Sequence, residues 1–203
     1  MRIGVFGGSF DPVHYGHLRL AEACREAAQL DQVLFMPAAT APHKRDLPLA
    51  PARDRVEMLK LAIGGHEAFV VSELELERGG VSYTVDTLTA LKEVQPEAEF
   101  FLLMGADTFM DLPNWREPKR VIELALPLVV CRGGMAPPTD AAFEWISEPR
   151  RTQIREAMVE MPVSEISSSG IRQMISMGKS VRYLVPRGVE KYVQVQGIYR
   201  AKV

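Results

Sequence analysis

The chain has 203 residues, 47% of them hydrophobic and 25% charged, with a formal net charge of −2. This composition excludes a disordered chain, and the charge excludes a general basic field that would draw it to nucleic acid. No apolar run approaches the roughly 20 residues that cross a bilayer, and Met1-Arg2 runs straight into a strand-like segment, so a cytoplasmic protein without signal peptide or membrane partner is expected.

Arg2-Ile3-Gly4-Val5-Phe6 reads as a first strand, and Gly7 to His17 as a turn. Leu18, Ala21, Cys24 and Ala28 give a helix from Leu18 to Leu30 its apolar stripe. Val33 to Met36 is a second strand, ended by Pro37, and Ala38 to Leu49 is a loop. Pro51 opens a helix striped by Val56, Leu59, Ala62 and Ile63 and stopped by Gly64-Gly65. Phe69-Val70-Val71 is a third strand, and the alternation of Glu73 to Arg78 predicts a half-exposed extension of it. Ser82 or Thr84 is expected to cap a helix running to about Val94.

Phe100 to Met104 is the most apolar strand, closed by Gly105. Short helical pieces at Asp107 to Leu112 and Glu117 to Leu124 lead to a fifth strand, Leu128 to Cys131. After a loop from Arg132 to Asp140, the stretch Ala141 to Ala157 is ambiguous because Pro149 interrupts it. Val159 to Val163 is read as an edge strand. Ser167-Ser168-Ser169 caps a helix from Gly170 to Met177, and Pro186 opens a last helix ending at Gly197.

Strands alternating with helices indicate βαβ units and a mainly parallel, Rossmann-like α/β sheet in a single domain over residues 1–203. Ligands of such sheets sit at the carboxyl ends of the strands, near the point where strand order reverses. The residues that follow the strands are therefore the candidates. Cys24 and Cys131 lack metal-ligand spacing and read as two buried thiols rather than a disulfide.

Gly7 to His17 joins a strand to a helix with glycines, a proline and two histidines three residues apart. Glycines let a ligand approach the backbone, and a helix N-terminus attracts anions, so the spot suits phosphate. Lys44 can meet phosphate as a point charge, with His43 beside it. The helix start at Ser82-Tyr83-Thr84 can receive an anion, and Trp115 lies in a turn where its face can stack on a ring. Asp107 can accept from two ribose hydroxyls, while Ser167 to Arg172 offers hydroxyls, N–H groups and a guanidinium fork. Met177-Gly178-Lys179-Ser180 resembles the end of a P-loop, but Gln173 stands where its first glycine is needed.

Gly8-Ser9-Phe10-Asp11-Pro12-Val13-His14-Tyr15-Gly16-His17 resembles the GxFxPxHxGH signature of the HxGH nucleotidyltransferases. Further segments resemble the bacterial nicotinate-nucleotide adenylyltransferases: Pro42-His43-Lys44, Ser82-Tyr83-Thr84, Gly105-Ala106-Asp107, Leu112-Pro113-Asn114-Trp115 and Ile166 to Arg172. Tyr183-Leu184-Val185-Pro186 and Gln196-Gly197-Ile198-Tyr199 also fit, whereas Gly133 to Val159 carries no family motif. Ala41 replaces a proline of the family pattern and Ser169 a threonine.

The resemblance implies a reaction of ATP with nicotinate mononucleotide that gives deamido-NAD and pyrophosphate, with Mg²⁺ arriving on ATP. It implies catalytic roles for His14 and His17, and ATP contacts from Gly8, Ser9, Phe10, His17, Gly105, Asp107, Ser167, Ile171 and Arg172. For nicotinate mononucleotide it implies His43, Lys44, Ser82, Tyr83, Thr84 and Trp115. The helical part from about 167 to 203 is expected to complete the ATP site, and a homo-oligomer is compatible with all of this. A transferase for another phosphorylated acceptor and a non-catalytic nucleotide sensor are the rivals. The segments at Tyr83 and Trp115 argue against the first, and the retained histidines against the second.

Overall fold

The computed structural model describes residues 1–41, 49–132, 138–162 and 165–200. Its strands are Arg2–Gly8 (β1), Gln32–Pro37 (β2), Phe69–Val71 (β3), Glu99–Gly105 (β4), Leu126–Arg132 (β5) and Val159–Met161 (β6). They form one six-stranded sheet in the order β3-β2-β1-β4-β5-β6, with every neighbouring pair parallel. The helices are Tyr15–Ala27 (α1), Ala52–Ile63 (α2), Leu74–Arg78 (α3), Thr84–Val94 (α4), Ala106–Asp111 (α5), Pro118–Leu124 (α6), Glu148–Glu156 (α7), Ser168–Ser176 (α8) and Arg187–Gln196 (α9).

The two-residue period of the strands sends alternate side chains to opposite faces. Phe6, Val33, Phe35, Phe101, Leu103, Leu128 and Val130 pack on one face with Leu20, Ala21 and Cys24 of α1, Met58 and Leu59 of α2, and Val189 and Val193 of α9. Ile3, Val5, Leu34, Met36, Phe100, Leu102, Met104 and Val129 pack on the other with residues of α4, α5, α6 and α7. Burying each large apolar side chain contributes about 1.5–3 kcal/mol, and these two layers hold the sheet on both sides.

The order reverses at β1, which has β2 on one side and β4 on the other. β1 pairs with β2 as far as Gly8↔Pro37, but its pairing with β4 ends at Val5↔Leu102. The last residues of β1 and β4 therefore diverge. A crevice opens between them at the carboxyl end of the sheet, where this strand order places ligands.

Several expectations are corrected. Glu73 to Arg78 does not extend β3; Leu74–Arg78 is a helical turn. Glu75 is buried there and accepts a hydrogen bond from the Thr87 hydroxyl at 2.7 Å, which an outward-facing strand residue could not do. Neither Ser82 nor Thr84 caps α4, because Tyr83 occupies the N-cap without a side-chain bond. Pro149 does not interrupt a helix but sits in the first turn of α7, where its missing N–H costs nothing. Cys24 and Cys131 are both free, and Cys131 is only partly buried. No helix of the described residues is long and apolar enough to cross a membrane.

Candidate active site

The crevice holds two adjoining hollows. One, of about 410 Å³, lies between the diverging ends of β1 and β4 and the start of α4, and reaches Trp115 and Arg116. The other, of about 460 Å³, lies between the turn after β1 and the start of α8. Both are lined by Ser9, His17, Leu20 and Asp107, so they meet at those residues. A larger hollow of about 600 Å³ lies at the opposite end of the sheet, around Arg2, Lys92, Glu99 and Arg150. It touches none of these residues and faces the amino ends of the strands.

The turn after β1 is tightly built. A Cβ on Gly8 would lie 3.1 Å from the ring of Phe10, so only glycine leaves that ring its place. Phe10 has φ +48°, a conformation that costs a non-glycine residue about 1–3 kcal/mol. Burial of its ring against Phe6, Phe35 and His17 offsets that strain. The side chain of Phe10 is thus part of the core, although the residue borders the second hollow.

His14 is the N-cap of α1 and is buried. Its backbone N–H donates to Nδ1 of His17 at 3.3 Å, and the two imidazoles stack with centroids 3.7 Å apart. With Nδ1 accepting, a neutral His17 ring carries its proton on Nε2. His17 lines both hollows where they join.

In the first hollow the start of α4 takes no side-chain cap, so its leading N–H groups are available to an anion. Ser82 is buried, and its hydroxyl accepts from the Ala39 N–H at 2.9 Å, tying the exit of β2 to the start of α4. Tyr83 and Thr84 line the hollow, and the Arg116 guanidinium lies 4.9 Å from the centre of the Tyr83 ring. The Trp115 indole N–H donates to Asp111 at 3.3 Å, which orients the ring. Gly105 begins α5 beside Asp107, whose carboxylate occupies the space a Cβ on residue 105 would need.

In the second hollow Ser167 caps α8 by accepting from the Gly170 N–H at 3.2 Å. Ser168 donates to the Pro12 carbonyl at 2.9 Å, and Arg172 to the Asp11 carbonyl at 2.7 Å. The start of α8 is thereby clamped to the turn after β1, although the two are far apart in sequence.

The model of the cytidylyltransferase-like family matches residues 5–174. A curated relative from Thermomicrobium roseum, named a probable nicotinate-nucleotide adenylyltransferase, is 42% identical over 98% of this chain and 92% of its own length. A relative of the same name from Thermus thermophilus is 44% identical over 98% of this chain and all of its own. The chain belongs to the nicotinate-nucleotide adenylyltransferases of the cytidylyltransferase-like family. Its fold is shared with the nicotinic acid mononucleotide adenylyltransferase of Plasmodium falciparum solved with NaAD, at a TM-score of 0.76, 18% identity, and coverage of 98% of this chain and 97% of that one.

This member of the family brings most of the residues singled out in its sequence to the two hollows. Gly8, Ser9, His17, Gly105, Asp107, Ser82, Tyr83, Thr84 and Trp115 line the first, and Ser9, Phe10, His14, His17, Asp107, Ser167 and Arg172 the second. Ile171 lines neither: it is 1% exposed and packs into the core beneath α8. His43 and Lys44 lie outside the described residues.

Five residues at or beneath the site were given no role by the sequence. Glu75 lines the first hollow, with Thr87 bridging it to Arg78, whose guanidinium donates to the Thr87 hydroxyl at 3.0 Å. Arg55 is buried and donates to the Ser9 and Ala50 carbonyls at 3.0 and 3.2 Å. Burial pushes its pKa down, and the nearby Asp11 carboxylate opposes that shift. Asp11 is 1% exposed beneath the turn and accepts from the Ala50 N–H at 3.2 Å and from the Tyr199 hydroxyl. Glu75 and Arg55 each stand among other charged residues, in Glu73 to Arg78 and Arg53 to Arg55, so the sequence singles out neither.

Proposed function

We propose that the chain transfers the adenylyl group of ATP to nicotinate mononucleotide, giving deamido-NAD and pyrophosphate. The observation that carries this reading is the pair of hollows joined at Ser9, His17 and Asp107. Two substrates held in adjoining compartments meet at one reacting atom, and holding them so removes much of the entropy cost of a bimolecular step.

The mononucleotide lies in the first hollow, its pyridine ring against Trp115 and its ring carboxylate at the uncapped start of α4. An amide there would turn an N–H₂ toward N–H donors, so the site favours the acid over the amide. His43 and Lys44, outside the described residues, are the further contacts the sequence offers to the mononucleotide, Lys44 as a point charge. ATP lies in the second hollow, with its ribose hydroxyls on Asp107 and its β- and γ-phosphates at Ser167 and Arg172. The segment from about 167 onward thus completes the ATP site.

A phosphate oxygen of the mononucleotide attacks the α-phosphorus, the bond to the β-phosphate oxygen breaks, and that electron pair leaves on pyrophosphate. His17 donates from Nε2 to the α-phosphate, His14 fixes the ring that does so, and the N–H groups near Gly8 and Ser9 take up the remaining negative charge. No nucleophile of the protein is consumed. Mg²⁺ would arrive with ATP rather than on a dedicated carboxylate cage, and would supply charge neutralisation to the triphosphate.

The test is incubation of the purified chain with MgATP and a panel of acceptors: nicotinate and nicotinamide mononucleotides, phosphopantetheine, and sugar phosphates. Deamido-NAD and pyrophosphate in equal amounts are expected, with the nicotinate compound strongly preferred. Equal kcat/KM for the acid and the amide contradicts the placement at α4, and turnover confined to another acceptor contradicts the reaction.

A further inference from the structure

Tyr199 is separated from Asp11 by 188 residues in sequence, yet its hydroxyl donates to the Asp11 Oδ1 beneath the turn after β1. Oδ1 also accepts from the Ala50 N–H at 3.2 Å. The other oxygen, Oδ2, lies 3.7 Å from Nη1 of Arg172 and accepts no hydrogen bond among the described residues. That same Nη1 donates instead to the Asp11 backbone carbonyl, at 2.7 Å.

This arrangement is unusual for a buried carboxylate beside an arginine. Such a pair ordinarily closes to a charge-assisted contact of about 2.7–2.9 Å. Here two donors on Oδ1 hold the carboxylate back, and the guanidinium is left against the backbone at the lip of the second hollow.

We propose that Tyr199 is a positioning residue for the ATP side of the reaction: by holding Oδ1 of Asp11 it keeps the carboxylate from capturing Arg172, so that the guanidinium stays directed at the leaving phosphates. The proposal rests on the reading of the second hollow as the ATP compartment. Burial and the Asp11 charge both push the phenol pKa up, so Tyr199 remains a donor across the working pH range. Among the described residues Tyr199 lines neither hollow, and its tie runs through Asp11, which lines the second and not the first.

The experiment is a cycle of Tyr199→Phe, Arg172→Ala and the double variant, read two ways. Steady-state kinetics give KM for each substrate, and thermal denaturation gives the rise in Tm that ATP alone produces. Tyr199→Phe removes one oxygen from a partly buried ring, and its Tm without ligand reports any loss of fold. The expected result is about a tenfold loss of kcat/KM for ATP, the size of one lost hydrogen bond to a charged group. KM for the mononucleotide stays within about twofold of the parent. The double variant should match Arg172→Ala alone, in kinetics and in the ATP-induced rise, because the hydroxyl acts through Arg172.

Equal losses toward both substrates, or additive effects of the two changes, overturn the proposal and leave Tyr199 a structural tie. If the parent chain makes no deamido-NAD, the reading of the reaction fails. The ATP-induced rise still decides whether Tyr199 works through Arg172.

Discussion

Gly105→Ala probes whether Asp107 works from the position it holds in the structure. A Cβ at residue 105 would lie 2.4 Å from Oδ1 of Asp107, where an ordinary contact begins near 3.4 Å. The carboxylate must therefore retreat by about 1 Å. The backbone has no objection: Gly105 has φ −74° and ψ 161°, which alanine adopts freely. Turning one exposed carboxylate off its rotamer costs about 0.5–1.5 kcal/mol, or a few degrees in Tm for a chain of this length. Loss of hydrogen bonds between an ionised carboxylate and the ribose is larger, about 1.5–3 kcal/mol, or roughly tenfold to hundredfold in kcat/KM for ATP. Steady-state kinetics on Gly105→Ala and on Gly105→Ala/Asp107→Ala check this. The first should lose activity toward ATP with little loss of stability, and the second should be no worse than Asp107→Ala. Parent-like kcat/KM in Gly105→Ala, or a Gly105 effect that persists without the carboxylate, refutes the reasoning.

Trp115→Ala should raise KM for the mononucleotide about tenfold through the loss of ring stacking, with KM for ATP unchanged, as kinetics with each substrate varied will show. Burial pushes the Cys24 thiol from 9.0 up to about 12, so it should resist alkylation in the native state at pH 8 while Cys131 reacts first, as mass mapping will read. The same shift has a stability consequence. The unfolded thiol ionises near 9 while the folded one stays protonated, so the unfolded state binds fewer protons above that pH. This contribution is intact below pH 9 and is lost progressively toward pH 12, and the alkaline fall of Tm should be shallower in Cys24→Ala.

Most strands were legible because they are short apolar runs, β1, β2 and β4 of them closed by glycine or proline, and their carboxyl ends pointed to the crevice. Gly8, Ser9, His17 and Asp107 could be found in that way, whereas Trp115 stood out by its turn and by the family resemblance. What misled was local pattern without tertiary context. The alternation of Glu73 to Arg78 mimics a half-exposed strand, but Leu74–Arg78 is a helical turn whose Glu75 is buried and bonded to Thr87. Pro149 reads as a breaker, yet in a first helical turn it is an initiator. The family resemblance implied one role for Ile171 and Arg172, while the helix sends one side chain to the core and the other to the hollow. The tie from Tyr199 to Asp11 has no local signature, because both residue types are ordinary and 188 positions separate them.

The central claim is that catalysis occurs where the two hollows meet, with His17 stabilising charge that develops at the α-phosphorus. Its most direct test is the turnover of His17→Ala set against its affinity for ATP. Removing a donor aimed at transition-state charge should lower kcat by about a hundredfold to a thousandfold, while the dissociation constant for ATP changes by no more than about threefold. Near-normal turnover, or a loss that appears only as weakened ATP binding, contradicts the account.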